Sequence, residues 1–93
     1  MADQLRYDCI GREFTPHINA LIDDSCYFPH AYCASPLCVP ARGAFFTGLY
    51  PNTNGSLINP WEKEEYAHGY VKAATPTLYS LLEDSGYDSW HTG

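Results

Sequence analysis

Thr75-Pro76-Thr77-Leu78-Tyr79-Ser80-Leu81-Leu82-Glu83-Asp84-Ser85-Gly86-Tyr87-Asp88-Ser89-Trp90-His91-Thr92 reads as a helix handed straight to a strand. Thr75 is placed to cap, Pro76 suits a first turn where its missing N–H costs nothing, and Leu78, Leu81 and Leu82 share one face. Gly86 is a stop signal, and residues 87–92 follow as a strand. The same alternation appears earlier in the chain. Thr15-Pro16 opens a helix predicted over residues 16–25, with Ile18, Leu21 and Ile22 on its apolar face. The aromatic run at 27–34 reads as a strand whose start Pro29 demotes to an edge or bulge. A second helix is expected from Pro40 through Ala41 to Thr47, stopped by Gly48. Asn54-Gly55 carries turn chemistry, and residues 58–72, with no clean period, read as a long surface loop. Strands alternating with helices predict an α/β fold, with a mostly parallel sheet covered by helices.

The 93 residues, 45% of them apolar, suffice for one small core. A chain of this length buries only roughly 60–65% of its extended surface. A net charge of -6 with five Lys and Arg argues against a nucleic-acid partner, since non-specific affinity for phosphate backbones comes from clustered cations. No apolar run is long enough to cross a bilayer, and no basic leader precedes an apolar stretch. Cys9, Cys26, Cys33 and Cys38 lack the paired spacing of a zinc site. Cys26 and Cys33, flanking the expected strand, read as packed thiols.

Chemistry concentrates in Cys38-Val39-Pro40-Ala41-Arg42-Gly43. A cysteine at a helix N-terminus faces backbone N–H groups and the positive end of the helix dipole, both of which favour an anion. Arg42 follows one turn on, and its planar fork of donors can hold an anionic substrate in a way that a lysine cannot. The same helix end suits a tetrahedral oxyanion such as sulfate or phosphate. For a bare cysteine and arginine, a packed thiol and a solvated side chain would be the simpler reading.

The wider text changes that weighing. Cys38, Pro40 and Arg42 stand in the places of the C-x-P-x-R signature, preceded by Ala34-Ser35-Pro36 and followed by Thr47-Gly48-Leu49-Tyr50-Pro51 and Asn54-Gly55. Asp3-Gln4-Leu5-Arg6, Thr15-Pro16 and residues 77–93 agree in order. Together they resemble the formylglycine-dependent sulfatase family, of alkaline-phosphatase-like fold, over nearly the whole chain. His17 and Asn54 depart from the family's common Asn and His.

The resemblance implies a sulfuric ester hydrolase. In the family the signature cysteine is oxidised to formylglycine by a formylglycine-generating enzyme that reads the proline and arginine; carried over, Cys38 is that precursor and Arg42 its catalytic neighbour. One hydroxyl of the hydrated aldehyde attacks the sulfur of a small-molecule or saccharide sulfate ester, and the other helps expel sulfate. Asp3, Gln4 and the group derived from Cys38 would be metal ligands, with hard oxygens suited first to calcium, with manganese or magnesium as alternatives. Many relatives have two aspartates where this chain has Asp3-Gln4, and relatives with Asp-Gln include phosphonate monoester hydrolases. A phosphonate monoester or phosphodiester hydrolase is therefore the alternative, and a non-catalytic anion-binding relative is a third.

Residues 1–93 are accordingly expected to be the N-terminal part of a sulfatase catalytic domain, incomplete at both ends, with localisation open between cytoplasmic and periplasmic or secreted. Its alkaline-phosphatase-like sheet would be mixed, mostly parallel and flanked by helices. His30, His68 and His91 read as ordinary packed or exposed rings, residues 62–65 as a solvated acidic face, and Phe45 and Phe46 as core.

Overall fold

A computed structural model describes residues 1–60 and 66–91. Trp61, the acidic run at 62–65 and the final Thr92 and Gly93 lie outside the described residues. The chain divides into two units, Met1–Tyr32 and Cys33–Gly93.

The first unit carries a 3₁₀ turn at Tyr7–Cys9 and helix α1 at Pro16–Asp23. Thr15 is the N-cap residue as expected, but its hydroxyl makes no capping bond. It donates instead to Asn19 Oδ1 at 3.0 Å, and Asn19 Nδ2 reaches back to the Arg12 carbonyl at 3.0 Å. Gly11, at φ +84, completes this local knot by donating its N–H to Asn19 Oδ1 at 3.0 Å. Of the expected apolar face, Ile18 and Ile22 are half-buried, whereas Leu21 is exposed. A hydrogen bond with Tyr7 holds the Tyr27 phenol above its ordinary value, and lost hydration and the neighbouring Tyr7 charge push the same way.

In the second unit, α2 spans Cys38–Thr47, α3 Pro51–Asn54, α4 Tyr66–Gly69 and α5 Leu78–Asp84, and α2 packs against both α3 and α5. The Gly48 stop is as expected, left-handed at φ +67, with its N–H returning to the Ala44 carbonyl. The turn expected around Asn54-Gly55 is the one-turn helix α3, begun by Pro51 and ended by Gly55 at φ +93. Helix α4 falls inside the segment expected to be all loop.

At α5 the cap is Thr77 rather than Thr75: its side chain accepts the Ser80 N–H while the Ser80 hydroxyl accepts the Thr77 N–H. This reciprocal box satisfies two otherwise orphaned donors, an advantage that Thr75 lacks once Pro76 leaves the helix. Gly86 ends α5 as expected: its N–H reaches the Glu83 carbonyl at 2.9 Å and the Tyr87 N–H reaches Leu82 at 3.0 Å.

Among the described residues there is no strand: of the segments read as strands, 27–34 and the described part of 87–92, residues 87–91, form no ladder, and residue 92 lies outside the described residues. A strand's N–H and C=O groups need a neighbouring strand, and no described segment offers one. The thiols of Cys26 and Cys33, expected to be packed, are exposed, as is Phe45. Phe46 is half-buried and stacks on Tyr79 with ring centres 5.0 Å apart. His91 packs edge-on to both rings and hydrogen-bonds the Tyr79 hydroxyl through Nδ1 at 3.0 Å.

What holds this unit together is polar. Among the described residues no hydrophobic side chain other than Pro40 is buried, whereas Asn54 and Ser56 are 0% exposed. Asn54 Nδ2 donates to Thr47 Oγ1 and to the Leu49 carbonyl, both at 3.2 Å, and its Oδ1 accepts the Ser56 N–H at 2.8 Å. The Ser56 hydroxyl donates to the Gly69 carbonyl at 3.2 Å, and Lys72 N–H to the Asn54 carbonyl at 2.7 Å. No buried side-chain polar atom among the described residues lacks a partner, so this hub avoids the desolvation penalty of a half-satisfied network.

Candidate active site at the N-terminus of α2

Leu37 is the N-cap of α2, and its side chain cannot cap. The N–H groups of the first turn therefore need acceptors from elsewhere. Pro40 has no N–H to satisfy, which is why it can be buried at the third helical position without loss. Ser35 shapes the approach by accepting the Leu37 N–H on its hydroxyl at 3.2 Å.

Cys38 occupies the first position of α2, free and exposed, where the sequence placed it. Arg42 lies one turn further along and is half-buried. Asn59, 21 residues downstream of Cys38, completes the group: its Oδ1 accepts the Val39 N–H at 2.9 Å and its Nδ2 donates to Cys38 Sγ at 3.1 Å. The Leu57 and Ile58 N–H groups, both bonded to the His68 carbonyl, anchor the segment that delivers it.

Gly43 is what lets that segment lie so close. A Cβ built there would stand 3.1 Å from Ser56 Cβ and 3.3 Å from Val71 Cγ2, tighter than ordinary van der Waals contact. Sequence reasoning missed Asn59 and the Asn54 and Ser56 hub. The available signal was Asn59-Pro60, a turn dipeptide that says nothing about a reach back to α2.

Asp3 and Gln4 belong to the first unit and are both exposed, and Gln4 adopts a left-handed backbone at φ 51. They present a carboxylate and a carboxamide oxygen, the right chemistry for a hard cation but two donors of the roughly six to eight that calcium takes. Among the described residues no group of three or more His, Cys, Asp or Glu side chains is placed to hold a metal ion. These residues do not by themselves make a metal site. A cleft lined by Ala34, Ala44, Gly48, Leu49 and Tyr50 sits at the other end of α2 and does not include Cys38, Arg42 or Asn59.

The C-x-P-x-R stretch of this chain thus presents an exposed cysteine that opens a helix, a buried proline and an arginine one turn on. Among known families, the one described as Sulfatase matches residues 1–93. The chain belongs to the sulfatase family. Membership implies an alkaline-phosphatase-like α/β fold.

Sulfatase relatives of this chain include the ulvan-active sulfatase of Formosa agariphila, 41% identical over 59 residues covering 61% of the chain and 12% of the relative. The N-acetylgalactosamine-6-sulfatase of Sus scrofa is 33% identical, with 85% of this chain and 17% of the relative covered. The steryl-sulfatase of Homo sapiens is 32% identical, covering 100% of this chain and 18% of the relative. The chain thus spans 12 to 18% of the length of these curated relatives. No solved structure matches it. No helix among the described residues is long and apolar enough to cross a membrane.

Proposed function

We propose that the protein carrying this chain is a sulfuric ester hydrolase, with Cys38 as the precursor of its formylglycine nucleophile. The observation that carries this reading is the exposed Cys38 at the first position of α2 with Arg42 on the next turn. A free, accessible thiol fits the precursor role. Hydrated formylglycine, a geminal diol, would supply one hydroxyl as the nucleophile and a second whose deprotonation lets the aldehyde re-form as sulfate leaves. The chain's own residues do the rest: the N-terminus of α2 favours negative charge there, and Arg42 offers a planar donor fork to the tetrahedral oxyanion.

Residues 1–93 are the N-terminal part of the catalytic domain in this reading, and the mixed, mostly parallel sheet flanked by helices is completed by further chain. Exposed Phe28, Tyr32 and Trp90, which are 70%, 89% and 90% accessible, support this, because large apolar surface of that kind is normally covered. Asp3 and Gln4 contribute two hard oxygen donors to a divalent-metal site, calcium first, whose remaining donors lie elsewhere in the protein. The left-handed Gln4 is consistent with a turn held for a purpose, since such a backbone costs a non-glycine residue about 1 kcal/mol or more. A formylglycine-generating enzyme acts on the chain as maturation partner, and the similarity to an N-acetylgalactosamine-6-sulfatase favours a sulfated saccharide as substrate.

Gln4, in place of a second aspartate, favours a second reading, hydrolysis of a phosphonate monoester or phosphodiester at the same site. One experiment separates these. The full-length protein is co-expressed with a formylglycine-generating enzyme, peptide mass spectrometry is read across Cys38, and turnover is compared on aryl sulfate, a sulfated sugar and an aryl phosphonate monoester. Conversion with sulfate release lost in Cys38→Ala is the expected result. Conversion with phosphonate turnover alone selects the second reading, and an unconverted thiol with no turnover removes both.

A further inference from the structure

We propose that Asn59 is a positioning residue for the side chain at position 38, which it orients through one carboxamide that also caps α2. The inference deepens the reading of Cys38 as nucleophile precursor and rests on it.

Its basis is the pair of bonds from Asn59 to adjacent residues of one helix turn, 2.9 Å to the Val39 N–H and 3.1 Å to Cys38 Sγ. A backbone N–H can only donate, so the atom facing Val39 must be the carboxamide oxygen; the NH₂ is then the group turned to sulfur. Chemistry therefore decides which way the amide points. Because the group is planar, fixing its oxygen on the helix also fixes where its nitrogen stands. The atom in the Sγ position is thereby held against rotation about χ1.

The support behind Asn59 is rigid for its own reasons. Residues 54–58 are tied by the buried Asn54 and Ser56 bonds and by two N–H groups on the His68 carbonyl. Asn59 itself is half-buried, so little ordering is left to complete when the site is used. Leu37 leaves the first turn without a side-chain cap of its own, and Asn59 meets that need at Val39 from 20 residues away. One side chain thus couples helix capping to orientation of the reacting position.

The test uses the full-length protein in two forms. With residue 38 left as cysteine, the rate of iodoacetamide alkylation at Cys38 is read by peptide mass spectrometry at one mildly alkaline pH for wild type and Asn59→Asp. The aspartate keeps an oxygen for Val39 but turns an acceptor, rather than a donor, toward sulfur. Its thermal midpoint is expected within about 2 °C of wild type, with Cys38 alkylation slower by about tenfold. In matured protein, with equal conversion at residue 38 confirmed, Asn59→Asp and Asn59→Ala are each expected to lower kcat about tenfold with KM within about twofold. Alkylation of Asn59→Asp at the wild-type rate, or turnover of Asn59→Ala at the wild-type kcat, overturns the proposal. If the wild type releases no sulfate, the functional reading fails separately and the alkylation comparison alone decides the role of Asn59.

Discussion

Asn54 Oδ1 accepts the Ser56 N–H at 2.8 Å while both residues are wholly shut off from water, and this pair holds the segment that reaches Asn59 against α2. The unit around α2 is built on satisfied polar groups where an apolar core would be expected, so its weak points are hydrogen-bonding residues. Replacing Asn54 by alanine strands the Ser56 N–H and removes the side-chain donor to the Leu49 carbonyl, while the Thr47 hydroxyl keeps the Gly43 carbonyl and the Leu49 N–H. With each stranded group costing roughly 1–3 kcal/mol, a loss of about 3 kcal/mol is expected after partial relaxation. Urea unfolding of the full-length protein measures it, and a loss below about 1 kcal/mol would mean that water replaces the side chain.

Gly43 faces Ser56 and Val71 at the limit of contact. Valine there adds branched bulk where even a single Cβ is tight, and about 1–3 kcal/mol of overpacking strain is expected. Because Ser56 belongs to the segment that carries Asn59, Gly43→Val should also shift alkylation of Cys38. A variant with unchanged stability and unchanged alkylation would show that the segment yields freely.

The two ends of α5 can be tested independently. Thr77→Ala removes the capping box, and Gly86→Ala forces a Cβ into φ +84 with nothing nearby to clash. Each is expected to cost about 1 kcal/mol, the first through lost hydrogen bonds and the second through backbone strain. The double variant should sum to about 2 kcal/mol, since a cap and a stop at opposite ends of the helix share no partner. Strong non-additivity in thermal unfolding would contradict that separation.

Arg42 is expected to act through its planar fork rather than through charge alone. Arg42→Lys, assayed in protein whose residue 38 is converted to the same extent as in wild type, should lower kcat/KM on a sulfate ester by about a hundredfold. Equal activity for lysine would leave Arg42 as a general counter-charge.

The C-x-P-x-R stretch was legible because its logic is local. Proline early, arginine one turn on and Gly48 at the end fix where α2 starts and stops, and Cys38 must then open the helix. Gly86 at φ +84 was legible for the same reason, as a steric requirement of a single residue. The start of α5 was not legible in this way, because two threonines flank Pro76 and only the reciprocal bond with Ser80 makes Thr77 the cap. The aromatic runs at 27–34 and 87–92 were read as strands, but aromatic enrichment reports suitability for a sheet surface, and a ladder needs a neighbour.

Sequence by itself determined the stops of α2 and α5 at Gly48 and Gly86, the position of Cys38 and Arg42 on one helix, and the signature that marks the family, because each is written within a few residues. Tertiary structure alone decided that Asn59 meets Cys38 and Val39, that Asn54 and Ser56 are sealed from water, and that Gly43 makes room for them. These depend on contacts between residues 7 to 21 positions apart, and no local propensity encodes which carboxamide arrives at which N–H.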